Sequence, residues 1–120
     1  MLAYKLFGSG LNTLSVAAMT DVATGLTSAG TTQGDAYEVT TAKAFFGTVG
    51  AGSGAVLDDQ AAPGDSQLIY NGTTTALNVY PPSGAAISPR GTDEAITLSQ
   101  KTGCIFFCIS AAQWIGVLSA

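Results

Sequence analysis

Residues that could carry acid–base or metal chemistry are few and dispersed in this sequence. The 120 residues include no histidine, so the commonest general base and the commonest metal ligand are both missing. Asp58, Asp59 and Asp65 lie closest together, but their spacing does not match a calcium-binding EF-hand loop. A solvated acidic turn is the favoured interpretation, and an incidental ion site is the alternative. Asp93 and Glu94 are adjacent, so in a strand entry they would point to opposite faces and would not form an acid–base pair.

Two further motifs resemble functional sites but have simpler structural explanations. The glycine-rich run at residues 50–54 resembles a phosphate-binding loop, yet such a loop needs a helix directly after it, and an apolar pattern resumes at residues 55–57 instead. Asn71, Gly72 and Thr73 match the glycosylation sequon, but Asn-Gly is also the strongest hairpin dipeptide. We interpret both as hairpin turns. Serines are plentiful, but without histidine the usual triad is absent, so we expect no enzyme, no metal and no cofactor.

The two cysteines, Cys104 and Cys108, are four residues apart in an apolar run. In a strand their α-carbons would be about 13 Å apart, whereas a disulfide needs about 5.5 Å, so they are not expected to bond to each other. Buried thiols are the favoured interpretation, and a disulfide between subunits is the alternative.

Composition indicates that part of the surface meets other protein chains. The sequence is 47% hydrophobic but only 10% charged, against about 25% charged for an average soluble domain. A domain of this size cannot coat its remaining surface with so few charges. The four lysines and arginines are scattered, which disfavours nucleic-acid binding because phosphate affinity depends on clustered cations.

Glycine and proline punctuate the chain about every ten residues, which predicts an all-β fold. We expect a single-domain sandwich or jelly-roll-like barrel of short antiparallel strands, with one possible helix at residues 11–23. Residues 104–109 are apolar at every position, so we expect this strand to be covered on both faces, with Phe106 and Phe107 buried on opposite sides. Residues 104–120 are interpreted as two strands joined near residues 110–112. A membrane-spanning tail is the alternative.

Residues 1–12 are interpreted as an N-terminal arm or edge strand, and residues 13–120 as the β domain. Leu2, Tyr4, Leu6 and Phe7 are apolar but are separated from the rest of the chain by a Gly-Ser-Gly segment. Together with Phe106 and Phe107 they are the candidate contacts with another subunit or a capsid. An ordinary first strand of the same domain is the alternative for the arm.

Two stretches of sequence carry a resemblance to a known group. Residues 77–84, followed by Ile87, by residues 95–98 and by Gln113 and Trp114, resemble the C-terminal pattern of small structural proteins of tailed bacteriophages. Residues 23–33 are similar to the same group. The closest role implied by the resemblance is a capsid decoration or cement protein, which is typically a β-rich trimer seated where capsomers meet.

The resemblance implies partners and a location as well as a fold. It implies a homotrimer on the outer capsid surface of a virion, bound to the major capsid protein, with no nucleic acid and no membrane as partner. The alternative function is a small head-fibre or tail-associated adhesin that binds host-surface glycan, with Trp114 and the tyrosines as a stacking platform.

The arm hypothesis makes a prediction that deletion of residues 1–7 tests. We expect the truncated protein to fold with a nearly unchanged melting temperature, because these residues would lie outside the domain core, while its binding to empty capsids falls sharply. Thermal denaturation and capsid cosedimentation measure the two effects. Failure of the truncated protein to fold, or normal capsid binding, would contradict the arm hypothesis.

Overall fold

The protein is all-β in the range that the structure, a computed structural model, describes, which is residues 21–119. Ten strands and one single-turn 3-10 helix (Gln33–Asp35) make up the regular structure of this range. The all-β prediction is therefore confirmed. The strands in chain order are β1 (Val22–Thr27), β2 (Tyr37–Glu38), β3 (Lys43–Thr48), β4 (Gly54–Val56), β5 (Ser66–Asn71), β6 (Leu77–Tyr80), β7 (Ala86–Ser88), β8 (Ile96–Leu98), β9 (Thr102–Ser110) and β10 (Gln113–Leu118).

The first six strands belong alternately to two sheets, so the chain follows a coiled path. β1, β3 and β5 lie side by side in a large six-stranded sheet, and β2, β4 and β6 lie side by side in a small four-stranded sheet. All of these pairings are parallel. Parallel neighbours need a crossover connection, and here the strand of the opposite sheet provides it. The winding resembles three turns of a β-solenoid.

The last four strands pair mostly in antiparallel fashion. β9 pairs antiparallel with β5, and β10 pairs antiparallel with β9 and parallel with β7, which gives the large sheet the order β1-β3-β5-β9-β10-β7. β8 pairs antiparallel with β6 and completes the small sheet in the order β2-β4-β6-β8. The expectation of antiparallel strands throughout is therefore wrong for the first half of the chain and correct for several pairs of the second.

Both predicted hairpin turns are crossings between the sheets. The glycine-rich run leads from β3 in the large sheet to β4 in the small sheet, and Asn71-Gly72 leads from β5 to β6 in the same way. Gly52 has a φ of 76°, which favours glycine, so the local turn chemistry was interpreted correctly. The hairpin prediction failed because a turn residue reverses the chain without specifying which strand its continuation will join.

Two of the predicted elements have different boundaries in the structure. Val22 and Ala23 belong to β1, so the helix predicted for residues 11–23 does not extend to its expected end; residues 11–20 lie outside the described range. β1 continues to Thr27. The hairpin predicted in the C-terminal stretch is confirmed, since β9 and β10 are joined at residues 111–112. Within residues 21–119, no helix is long and apolar enough to cross a membrane.

One apolar core lies between the two sheets. It contains inward-facing side chains from both layers, and its largest members are Trp114, Phe46 and Phe106, each no more than 1% exposed. Tyr37 packs edge-on against Phe46, with ring centroids 5.7 Å apart. The small sheet contributes residues such as Leu77 to the same cluster. A single shared core makes the described range one domain.

Buried amide side chains satisfy the backbone where the chain leaves a sheet. The Asn71 side-chain amide, fully buried, donates to the carbonyl oxygens of Thr75 and Leu98 at 2.7 and 3.1 Å. The Gln67 amide donates to the carbonyls of Val39 and Thr41, at 3.0 Å each. Since an unpaired buried carbonyl costs about 1–3 kcal/mol, these contacts stabilise the crossings. They also leave Asn71 enclosed in the folded chain, which disfavours the glycosylation interpretation.

Phe106 and Phe107 offer a matched test of the fold, because neighbouring residues of one strand face opposite sides. Phe106 is fully buried, whereas Phe107 is 40% exposed. We expect Phe106→Ala to lower the free energy of unfolding by about 3–5 kcal/mol, and Phe107→Ala to lower it by about 1 kcal/mol or less in dilute solution. Urea denaturation followed by the fluorescence of Trp114, the sole tryptophan, measures both. Losses of about 3–5 kcal/mol in both variants, at a concentration where the protein is monomeric, would show that both sides of β9 are covered within one chain.

Candidate interaction surface

The outer side of β9 and β10 exposes large apolar side chains. In β9, Cys104, Phe106 and Cys108 point into the core, while Ile105, Phe107 and Ile109 point outward and are 40–51% exposed. A second layer over the outer side is not present within residues 21–119, and cover by a neighbouring chain, the other expectation for this side, stays a prediction. The inner side is covered by the small sheet, and the described part of the chain provides no third layer for the outer side.

The register of the large sheet aligns these residues with others on neighbouring strands. Ile105 lies beside Val117 of β10 and beside Leu68 of β5, and Leu68 lies beside Lys43 of β3, which lies beside Val22 of β1. Residues paired in this way point to the same side of a sheet. One row of outward side chains therefore crosses five strands.

A second row runs parallel to the first. Phe107 lies beside Ile115 of β10 and Ser66 of β5. At the end of the sheet near the crossing to β6, Phe45 and Tyr70 contact each other, with ring centroids 6.0 Å apart. We call the outward apolar side chains of the large sheet the apolar face; they are Val22, Phe45, Leu68, Tyr70, Ile105, Phe107, Ile109, Ile115 and Val117.

Charge is almost absent from the large sheet. Lys43 is the only charged residue in its six strands, and it is half-buried. Lysine at such a position lays its apolar stem along the sheet and keeps its ammonium group in water. The apolar face thus has one cation at its β3 position and no described carboxylate within its strands to pair with it.

The small sheet provides an internal comparison. Its outward positions include Asn78 and Thr97, whose side chains form a hydrogen bond of 3.0 Å. A polar outer face is the usual pattern for a sheet that packs on one side only. The apolar outer face of the large sheet is therefore a specific feature of that sheet.

The extent of the apolar face is comparable with the centre of a stable protein interface. Five strands about 4.8 Å apart and six residues rising about 3.4 Å each give roughly 400 Å² of projected area. A standard interface buries about 800 Å² of accessible surface per partner, including a polar rim. Exposed apolar patches of this kind mark interaction sites.

The sequence-predicted contact residues fall in three different places. Phe107 lies on the apolar face, whereas Phe106 lies in the chain's own core and is not available to a partner. Leu2, Tyr4, Leu6 and Phe7 lie outside the described residues. Leu68, Ile115 and Val117 were not predicted as contact residues, and residues 113–118 are apolar at adjacent positions, so their pattern does not indicate which side chains face outward.

Trp114, the proposed stacking platform for a glycan, is 1% exposed. Its ring belongs to the core cluster, with Cys108 beside it on β9. No sugar can stack on a ring that is enclosed in this way. The carbohydrate-binding alternative therefore loses the residue that supported it most directly.

Three of the described carboxylates, Asp35, Asp65 and Asp93, accept hydrogen bonds within or between turns. The pKa of Asp35 is held below its usual range by hydrogen bonds from the backbone and side chain of Thr32, which cap the 3-10 helix. The pKa of Asp93 is lowered by the side-chain amide of Gln33, which donates at 3.0 Å, and by the backbone amide of Gly84. Asp65 accepts a hydrogen bond from the backbone of Ala62 within the acidic turn.

A cleft of about 250 Å³ lies beside the small sheet. Its lining includes the exposed carboxylates Glu38 and Asp59 and the apolar residues Val39 and Leu57. Among residues 21–119, no three potential ligands of the His, Cys, Asp and Glu types are placed to hold a metal ion. The cleft therefore adds an acidic surface beside the small sheet.

Comparison with known proteins adds no assignment: no family model matches this chain, and no curated protein does. The similarity to structural proteins of tailed bacteriophages accordingly rests on the sequence pattern alone and stays a hypothesis.

The two thiols give a test of the inner side of β9. Both are free and buried, and burial raises the pKa of Cys104 to about 11 and raises the pKa of Cys108. Because the thiolate is the reactive form, we expect both thiols of native protein at pH 8 to react with Ellman's reagent more slowly than those of urea-unfolded protein, Cys104 by about 100-fold. Non-reducing electrophoresis should show no disulfide-linked dimer. Rapid native labelling, or such a dimer, would contradict the placement of these side chains.

The raised pKa values also predict the effect of alkaline pH. The folded state disfavours the Cys104 thiolate, so stability should be constant well below the ordinary thiol pKa of 9.0 and fall as pH rises from there through about 11. Cys104→Ala should reduce this contribution to the alkaline loss in a denaturation series across that range.

Proposed function

We propose that this chain is a virion structural protein, a capsid decoration or cement protein that binds the outside of the assembled capsid as a homotrimer and stabilises it. The observation that carries the proposal is the apolar face, since a sheet with one charge in six strands needs a protein cover. The similarity of residues 77–84 and 95–98 to tailed-phage structural proteins supports the location. The proposed partners are other copies of the chain and the major capsid protein.

The proposed mechanism is passive. A protein that binds only the assembled lattice stabilises that lattice by mass action, with no chemical step. This agrees with a described range in which the perturbed carboxylates serve turns and the thiols face the core. The formal net charge of −4 suits a surface that faces away from packaged DNA, because the phosphates would repel it.

The other proposed role, a small head-fibre or tail-associated adhesin that binds glycan, has weaker support. With Trp114 buried, the aromatic side chains that stay exposed or partly exposed to a sugar in the described range include Phe107 and Tyr80. The two roles differ in where the protein sits on the particle, so localisation separates them.

Localisation on virions tests the proposed function. We expect electron cryomicroscopy of particles with and without this protein to show a difference in density on the outer capsid shell. Particles without it should release DNA at a lower temperature, because the stabilisation by binding is lost. Adding purified protein back should restore both the density and the release temperature. Density on a fibre or tail would favour the adhesin, and particles that never contain the protein would refute both roles.

A further inference from the structure

The apolar face has no partner among the described residues, and its chemistry restricts what can cover it. We infer that the apolar face is the surface at which copies of this chain meet, so that the trimer forms by packing the large sheets of three chains against one another. This inference rests on the proposed function for the trimeric state. It adds which surface and which residues form the contact between copies of the chain. It also separates that contact from the contact with the capsid.

The first argument is the composition of the face. Interfaces that form and dissociate are about as polar as the rest of a protein surface, whereas the centres of permanent homomeric interfaces are more apolar and lack charge. The apolar face has Lys43 as its one charge, and Ser66 and Ser88 mark the polar margin in the row of Phe107. Its composition therefore fits a permanent interface.

The second argument is the order in which contacts form. A decoration protein meets the capsid only after the lattice has assembled, so its capsid-binding surface must tolerate water until then. A face with Ile105, Phe107, Ile109, Ile115 and Val117 each at least 40% exposed does not suit a long period in water. Copies of the same chain are available as soon as it folds, and they supply a matching apolar surface.

The third argument is the contrast with the small sheet. The outward positions of that sheet include Asn78, Thr97 and Glu38, and the acidic cleft lies beside it. A polar surface of this type tolerates water and carries the hydrogen-bonding groups that a selective contact uses. The two sheets thus have outer surfaces of different polarity, and the apolar one forms the contact between copies of the chain in the trimer.

The area agrees with this assignment. The roughly 400 Å² of projected apolar sheet, with Ser66 and Ser88 at its margin, is about half of the roughly 800 Å² that a standard interface buries per partner, which fits the apolar centre of an interface with a polar rim around it. Phe107 lies near the middle of this area, flanked by Ile115 on β10. Aromatic side chains at the centre of an interface contribute most to its stability.

Introducing a charge on the apolar face tests the inference without any capsid. We expect light scattering of the purified protein at micromolar concentration to show a trimer, and Phe107→Glu to shift it to monomer, because a carboxylate would be buried at the centre of each contact. Phe107→Ser should weaken association at least about tenfold. Thr97→Glu is the matched control, since it places the same carboxylate on an outward strand position of the small sheet and should leave the trimer intact.

Folding is checked independently in each variant. The emission of Trp114 and the far-ultraviolet circular dichroism should match those of the original protein, because Phe107 contributes little to the core. If Phe107→Glu does not fold, Phe107→Ser and a second outward substitution, Ile115→Ser, provide the same test with a smaller change.

Other outcomes would overturn the inference and identify a different cover. A trimer that is unchanged in all folded face variants would place the self-contact elsewhere. An original protein that remains monomeric at about 100 µM would refute self-association through this face.

A protein lacking residues 1–20 that gains association, where the full chain is monomeric, would show that those residues cover the face. Loss of capsid binding by Phe107→Glu with a monomeric original protein would assign the face to the capsid. Because oligomeric state is measured without capsids, the inference and the proposed function fail separately.

Discussion

Within residues 21–119, the inner side of each sheet is buried against the other sheet. The inner faces share one core, in which Phe46 and Phe106 of the large sheet pack with Leu77 of the small sheet. Because the chain alternates between the sheets for six successive strands, every turn of the coil adds residues to both sides of that core. Parallel pairing follows from this winding, since the next strand in the same sheet arrives after one full turn and runs in the same direction.

The crossings between sheets depend on buried polar side chains. Each crossing interrupts a ladder of backbone hydrogen bonds near the core, where an unpaired carbonyl is costly. Gln67 and Asn71, on inward positions of β5, supply amide donors to carbonyls of other segments. Glycine serves a related purpose at Gly54, where an added β-carbon would lie 2.6 Å from the carbonyl oxygen of Asn78 on the adjacent strand. Close approach of β4 and β6 therefore requires glycine at that position.

β9 connects the architecture with the proposed assembly. Its alternating side chains divide between the core and the outer apolar face, so the strand contributes to two layers at once. Stability of the chain depends on the inner set, which includes Phe106, and the proposed association depends on the outer set, which includes Phe107. Substitutions on the two sides of one strand can therefore change folding and assembly separately, since they remove contacts in different environments.

The sequence by itself determined the β class, two C-terminal strands joined near residues 110–112 and the burial of the cysteines, because these follow from local alternation, turn residues and polarity. It also indicated an unusual apolar surface through the low charge content. Only the tertiary structure decided that β3 is followed by a strand of the other sheet, and that Phe106 faces inward while Phe107 faces outward. A run that is apolar at every position is compatible with either side being buried, so the orientation of β9 depends on which neighbours cover it. The row from Val22 to Val117 joins residues almost a full chain length apart, and register between distant strands is a property of the folded sheet.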